Sequence, residues 1–459
     1  MNYTQLNSAL SEKLHLNASF DIQCRSLKAA GIANASFYSV SGFLEDKIAE
    51  RLLEFVINAR TPDDALFNIP HHDVTFTDDI DKITDSVMVG KAVLSVDGFD
   101  VMAVIDAKSY PLRSIEEPEN DRVLRGPRDG FGESLVRNTS LIRRRLRDPA
   151  LIMERITVGN PAHLDIALCY VSGRADGNFV DLMRNKLSSI DIQALNMTQE
   201  SIAECLIHRG WYNPFPKIRY TERPDAAAAM LEEGSVLVIC DNSPQVMILP
   251  TSIFDFMQET DDFYFPPLVG TYLRIIRLLI FLLALVLTPV WYLLIKDPTG
   301  IPKSFSFIQI SEPAKIPLLA QLILAEFMID GLKLASLNTP NMLSNSLSVV
   351  GGLILGDYAV QAGWFAPQTI LYMAIVAIAA FTQQSYELGY AFKFLRIILL
   401  ILVELFGVWG LIGGIVLAVV AIASNKTVAG SRSYLYPLIP FNGKAFFRMF
   451  VRPRLRRDR

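Results

Sequence analysis

The charged residues of this chain are spread so unevenly that no single solvent suits all of it. Residues 278–424 contain 13 of the 90 charged side chains, although they make up 147 of 459 positions. A soluble globular domain carries about 25% charged residues and cannot cover itself with so few. The chain therefore reads as a two-part protein, an N-terminal soluble α/β domain in two subdomains followed by an all-α polytopic membrane domain. A wholly soluble fold and a disordered one are both excluded. The formal net charge is −4 and the dense basic cluster is a short tail, so nucleic acid is not an expected partner. The expected divisions are 1–80, an N-terminal segment of the soluble domain; 81–268, an α/β domain with two similar hairpins; 273–424, the membrane domain; and 425–459, a basic tail.

Four widely spaced cysteines, Cys24, Cys169, Cys205 and Cys240, form no C-x-x-C pair and suit a reducing compartment. Met1 to Cys24 lacks an apolar signal-peptide core, which places the soluble part on the cytoplasmic side. Within it, Ala92–Val96 and Phe99–Ile105 flank Asp97-Gly98, a two-residue hairpin signal. Val236–Cys240 and Gln245–Leu249 repeat the pattern around Asp241–Pro244. Each copy follows a glycine, Gly90 or Gly234, which raises the question of an internal duplication. Between them, helices at 178–190 and 199–208 and strands at 164–171 and 217–221 predict α/β layers, with Pro224 opening a further helix.

Chemistry is scarce in this half. Phosphate-loop, dinucleotide, nucleophile-elbow and zinc-protease motifs are all missing, and adjacent His71 and His72 cannot face one ion from a regular element. No enzyme, cofactor or metal is expected. Arg125, Arg128, Arg143, Arg144, Arg145 and Arg147 form a basic cluster open to two readings: a site for an anion or membrane surface, or a solvated face paired with Glu133 and Asp148.

The apolar half offers spans at about 278–295, 345–365, 367–384 and 394–423. The last is long enough that it must tilt, protrude or break, and Gly407, Gly410, Gly413 and Gly414 are the easiest places. Lys444 to Arg459 holds seven basic residues and one acid, a cytoplasmic signal, so both termini lie inside and the crossings are even in number. Segment 316–336 carries Glu326, Asp330 and Lys333 on one helical face and reads as re-entrant or interfacial, although a break in the last segment would also restore parity. Other intramembrane polar positions are Asp357, Glu387 and the pair Arg396 and Glu404. Glu387 suits a structural pair with Lys393 or Arg396. Asp357 follows a small-residue segment containing Ser348, Gly352 and Gly356. Gly352-x-x-x-Gly356 and Gly410-x-x-x-Gly414 suit either self-association and pore lining or tight packing inside one subunit.

Arg125-Gly-Pro-Arg-Asp-Gly-Phe131, Tyr220-Thr-Glu-Arg-Pro-Asp225, Val350-Gly-Gly-Leu353, Ser385-Tyr-Glu-Leu388 and Tyr436-Pro-Leu-Ile-Pro-Phe441 occur in an order that resembles the GerA family of spore germination membrane proteins. Tyr212-Asn-Pro-Phe-Pro216 and Asn338-Thr-Pro340 look most like its SpoVAF branch, while Gln384 stands where that family usually has proline. The resemblance implies a non-enzymatic subunit of an oligomeric germination complex in the inner spore membrane. Implied partners are membrane lipid, further copies of the chain, other spore germination membrane proteins and monovalent cations. It makes Ser348, Gly352, Gly356, Asp357, Glu326 and Asp330 pore or gate candidates. Arg125, Arg128, Glu387, Arg396 and Glu404 are structural or interface candidates. A nutrient-receptor A subunit, a proton-coupled transporter and a scaffold are the alternatives.

Overall fold

A computed structural model describes residues 2–29, 32–110, 126–159, 163–191, 198–207, 213–259, 262, 264–298, 307–310, 314–337, 354–383, 385–429 and 433–451. The chain divides into two units, Met1–Arg209 with Lys217–Thr251, and Gly210–Pro216 with Ser252–Arg459.

The first unit is built of one pattern used twice. It runs α1 (Tyr3–Lys13), β1 (Ile22–Ala29), β2 (Ile32–Val40), α2 (Asp46–Asn58), α3 (Pro62–Phe67), β3 (Val74–Thr77), α4 (Ile80–Val89), β4 (Ala92–Val96) and β5 (Met102–Ile105). It continues α5 (Leu135–Arg145), β6 (Leu151–Val158), β7 (Leu164–Val171), α6 (Gly177–Ser188), α7 (Thr198–Leu206), β8 (Arg219–Thr221), α8 (Pro224–Glu232), β9 (Val236–Cys240) and β10 (Val246–Leu249). The second nine elements repeat the first nine in kind and order. The sheets match as well, β1-β2-β4-β5-β3 and β6-β7-β9-β10-β8, and every pairing in both is antiparallel. The two glycine-led hairpins are β4–β5 and β9–β10, in equivalent places. Gly90 and Gly234 hold φ of 99° and 96°, the left-handed backbone that closes the preceding helix. The division expected at residue 80 falls at the start of α4, inside the first repeat, because strands β1 and β2 already belong to its sheet.

Every residue of β4, β5, β9 and β10 is buried, as expected of strands covered on both faces. On the first sheet, Leu52, Val56 and Leu66 of α2 and α3 pack against Leu94 and Ile105. Leu6, Leu10 and Val87 of α1 and α4 cover Val93 and Val104 on the other face. In the second sheet, Leu135, Ile142 and Leu231 of α5 and α8 pack on Leu237 and Ile248. Cys169 and Cys240 are buried core thiols, and burial pushes Cys240 up to about 12.

One side chain departs from both readings of the basic cluster. Arg143 is fully buried, neither solvated nor open to an anion. Its Nε donates to Asp21 Oδ2 at 2.7 Å and its Nη2 to Asp21 Oδ1 at 3.1 Å. The remaining donors reach the carbonyls of Asp148 at 3.1 Å and Leu151 at 2.9 Å. Asp21 precedes β1 and Leu151 opens β6, so one guanidinium ties the first strand of one sheet to the first strand of the other.

The second unit is helical: a 3-10 helix (Ile253–Met257), α9 (Pro267–Lys296), α10 (Leu318–Leu337), a π-helical turn (Ile354–Tyr358) running into Ala359–Gln361, α11 (Pro367–Phe381), α12 (Tyr386–Phe406), α13 (Val408–Ala423) and α14 (Gly443–Phe450). Among the described residues one helix, α9, is long and apolar enough to cross a membrane; α11 and α13 are shorter apolar helices. Residues 394–423, expected as one span, fall in two helices. Gly407 separates them with φ 57° and ψ −129°, a conformation essentially reserved for glycine. The helices then fold together closely. A Cβ on Gly410 would overlap the Leu402 carbonyl, and one on Gly414 would lie 2.5 Å from Leu399 Cδ2. This G-x-x-x-G pair therefore serves a hairpin inside one chain. Of the expected 345–365 span, residues 345–353 lie outside the described residues, and 354–361 form the π-helical turn and the short helical segment after it.

Replacing Asp21 with Asn leaves Arg143 charged, buried and short of its partner. Stability of the purified protein should fall by about 3–5 kcal/mol, read from its denaturation midpoint. A second expectation concerns acid. Burial raises the Glu154 pKa, but hydrogen bonds from Arg184 at 2.6 Å and Tyr170 at 2.6 Å outweigh it, and the carboxyl sits below its usual value. Such a group stabilises the fold above its unfolded pKa of about 4.3, and that contribution is lost as pH falls through the folded value. Glu154→Gln should therefore lose less stability than the parent on acidification below about pH 4.

Candidate functional site: a buried ion-pair cluster among the apolar helices

Two helices contribute opposite charges to one interior. α10 carries Glu326, Asp330 and Lys333 along one face, and α12 presents Lys393 and Arg396 three residues apart. Glu326 is 3% exposed and Arg396 4%, so neither is solvated by bulk water. Arg396 Nε donates to Glu326 Oε1 at 2.6 Å, and Nη2 lies 2.6 Å from the same oxygen. Its Nη1 donates to the Ala284 carbonyl of α9, which binds a third helix into the cluster. Lys393 Nζ donates to the Glu326 backbone carbonyl at 3.1 Å, stands 3.9 Å from Glu326 Oε2 and donates to Asp330 Oδ2. Lys333 Nζ lies on the same side, 5.0 Å from the Phe381 ring centroid and 6.0 Å from that of Tyr390.

These five groups border a cavity of about 30 Å³, room for one or two waters or a bare ion and too little for an organic molecule. Gln383 lines it, and its Oε1 is buried with no hydrogen-bond partner. Two carboxylates face three cations, so the carboxylates of α10 are already neutralised within the chain. Chemically the arrangement is a lock. A charge withdrawn from it must find a new partner before the helices can part. Among the described residues no three His, Cys, Asp or Glu side chains converge as a metal site.

The other sequence candidates lie apart from this cluster. Glu404 pairs with Lys296 at 2.9 Å and accepts from Tyr292 Oη at 2.5 Å, while Arg396 turns to α10. Glu387 is half-buried in the first turn of α12, and the ion pairs of Lys393 and Arg396 run to Glu326 and Asp330 instead. Gly356 and Asp357 lie on the π-helical turn. Asp357 is exposed, with no hydrogen bond or ion pair among the described residues, and a Cβ on Gly356 would meet nothing within 4 Å. Ser348, Gly352 and Arg125 lie outside the described residues, and Arg128 is exposed. Arg145 pairs with Asp129, and Arg144 lies 4.7 Å over the Tyr110 ring, so these arginines are engaged within the fold. Sequence reasoning missed Lys393 as the bridge between both acids. The signal was present as two apolar helices with complementary charges at helical spacing. It also missed Gln321, 2% exposed, which accepts from Ala366 N and Thr369 Oγ1, both at 2.9 Å, and joins α10 to α11.

A family model described as Bacillus/Clostridium GerA spore germination protein matches residues 8–459. The chain is 39% identical over 373 residues to stage V sporulation protein AF of Bacillus subtilis, covering 81% of this chain and 75% of that protein. It is 31% identical to spore germination protein KA of the same organism, over 79% of this chain and 67% of the relative. The N-terminal domain of the A subunit of the Bacillus megaterium spore germinant receptor GerK3 aligns in structure over 53% of this chain and 92% of its own, at 24% identity and a TM-score of 0.39.

Removing one member of the buried cluster should cost more than removing the pair. Glu326→Gln is expected to destabilise the detergent-solubilised protein by about 3–5 kcal/mol. The double variant Glu326→Gln, Arg396→Met should recover most of that loss, and a denaturation series on the two variants measures the difference.

Proposed function

The chain belongs to the Bacillus/Clostridium GerA spore germination protein family, and from that premise we propose that it is a non-enzymatic, multi-pass membrane subunit of a germination complex. In this reading both termini face the cytoplasm, and the chain assembles with copies of itself and with other germination proteins. The assembly lets monovalent cations leave during germination.

The buried cluster on α10 and α12 carries the reading. A solvent-facing bundle has no reason to hold Glu326, Lys393 and Arg396 inside while Leu279, Leu282 and Leu283 of α9 and Trp409, Ile412, Val416 and Val420 of α13 stay exposed. That inversion suits a bundle in lipid, where charges turn inward and are paired. The excess positive charge opposes a cation at this point, so the described arrangement fits a closed state. The small-residue segment with Ser348, Gly352, Gly356 and Asp357 is the proposed wall of the path, with Asp357 exposed, unpaired among the described residues and available to a passing cation.

Purified protein in liposomes tests this. The wild type should pass potassium or sodium, alone or with its partner subunits, and Asp357→Asn should slow that flux. Lys393→Gln removes one buried positive charge and should speed it, about tenfold for each ~1.4 kcal/mol taken from the barrier. Vesicles that stay sealed with the wild type and partners together would rule the channel out.

A further inference from the structure

Within the helical unit, the apolar side chains of residues 434–450 divide sharply into buried and exposed. Tyr434 is fully buried in the cluster that holds Phe281, Leu388 and Leu395, and Leu435 packs against it. Beyond this anchor the pattern reverses. Tyr436, Leu438, Ile439, Phe441 and Phe447 are all exposed, Phe441 by 71% and Phe447 by 61%. Single exposed apolar groups are ordinary on a protein in water, but five within 436–447 make a patch.

The patch has a fixed shape. Leu438 N and Ile439 N both donate to the Leu435 carbonyl, at 2.7 and 3.2 Å, and Asn442 N donates to the Pro437 carbonyl at 3.0 Å. Asn442 Nδ2 donates to Tyr436 Oη at 3.1 Å across the same turn. α14 follows directly, with the Phe446 ring 5.9 Å from that of Phe441 and 5.1 Å from that of Phe450. By helical spacing, positions 446, 449 and 450 share one arc as Phe, Met and Phe. Positions 444 and 448, Lys and Arg, fall one turn apart on the other side. The sequence from Lys444 to Arg459 carries seven basic residues and one acid. α14 also lies against α9, the helix long and apolar enough to cross a membrane.

We propose that residues 436–451 form a binding surface for anionic phospholipid. The exposed aromatic and aliphatic groups enter the upper acyl region, and the basic positions of α14 lie level with the headgroup phosphates. Charge selects this occupant. The core of a protein interface is depleted of lysine, whereas a segment that lies in a membrane surface interleaves aromatics with Lys and Arg. Anionic headgroups attract each basic residue that comes within a Debye length. The proposal rests on the membrane reading above and is independent of whether cations pass.

Full-length protein reconstituted in vesicles tests it, with phosphatidylcholine alone compared with an equimolar mixture of phosphatidylcholine and phosphatidylglycerol. Hydrogen–deuterium exchange over 436–451 should be slower in the mixture. Lys444→Gln combined with Arg448→Gln should reverse that protection, by about fivefold for each charge removed. High salt should reverse it in the unsubstituted protein, and that measurement decides if the double variant fails to fold. Equal exchange in the two vesicles would overturn the proposal. Protection that grows with the protein-to-lipid ratio and ignores lipid charge would overturn it as well, because the occupant is then a second copy. Flotation keeps the two readings apart. Protein that floats with the vesicles but shows no effect of lipid charge loses this surface alone, whereas protein that stays unbound loses the membrane reading with it.

Discussion

A guanidinium taken out of water brings five donors with it, so the fold around it must supply both a carboxylate and acceptors for the other donors. Both units meet this demand, and in each of them one buried arginine gathers acceptors from several elements. Arg143 draws Asp21 and two carbonyls together in the α/β unit. Arg396 draws Glu326 of α10 and the Ala284 carbonyl of α9 onto α12 in the helical unit. In each case the acceptors come from separate elements, so the demand of one side chain fixes the relation of several. Hydrophobic packing would tolerate a slide of a helix by a fraction of a turn, whereas a bonded guanidinium fork would not.

The same economy of contact shapes the α12–α13 hairpin. Gly407 lets the chain reverse, and Gly410 and Gly414 remove the side chains that would hold the two helices apart. With α13 pressed to α12, its outer face is left apolar and exposed. That face has no partner among the described residues, and in the proposed function it meets lipid or another copy.

The α/β layers were legible because local signals encode them: Asp97-Gly98 marks a hairpin, and Gly90 and Gly234 mark two equivalent helix ends. The placing of β3 and β8 at sheet edges was not, since each pairs with a strand of distant sequence and short strands carry little register information. Arg143 was hidden by its neighbours. Three arginines in a row read as solvated, yet consecutive helical positions point about 100° apart, and this one points inward. At the candidate site, the acids at 326 and 330 were visible from spacing alone, but their partners were not. Glu404 lies eight residues from Arg396, about 12 Å along the helix, and Glu387 lies six from Lys393, on a different face. Geometry within α12 thus excludes the pairings that proximity in sequence suggested, and the partners had to come from another helix.

α12 joins two buried clusters of the helical unit. Leu388, Phe392, Leu395 and Leu399 face the cluster that contains Phe215 and Tyr434. Lys393 and Arg396, one residue on from Phe392 and Leu395, face α10 and its acids. A helix is stiff over this length, so a shift of its apolar face cannot leave its charged face in place. A movement of about 1–2 Å, typical of helix shifts in switching proteins, would pull the Arg396 fork off Glu326 and leave both charges to find new partners. The apolar cluster around Tyr434 and the ion-pair lock are therefore linked through one rigid element, and neither face of α12 can shift without straining the other.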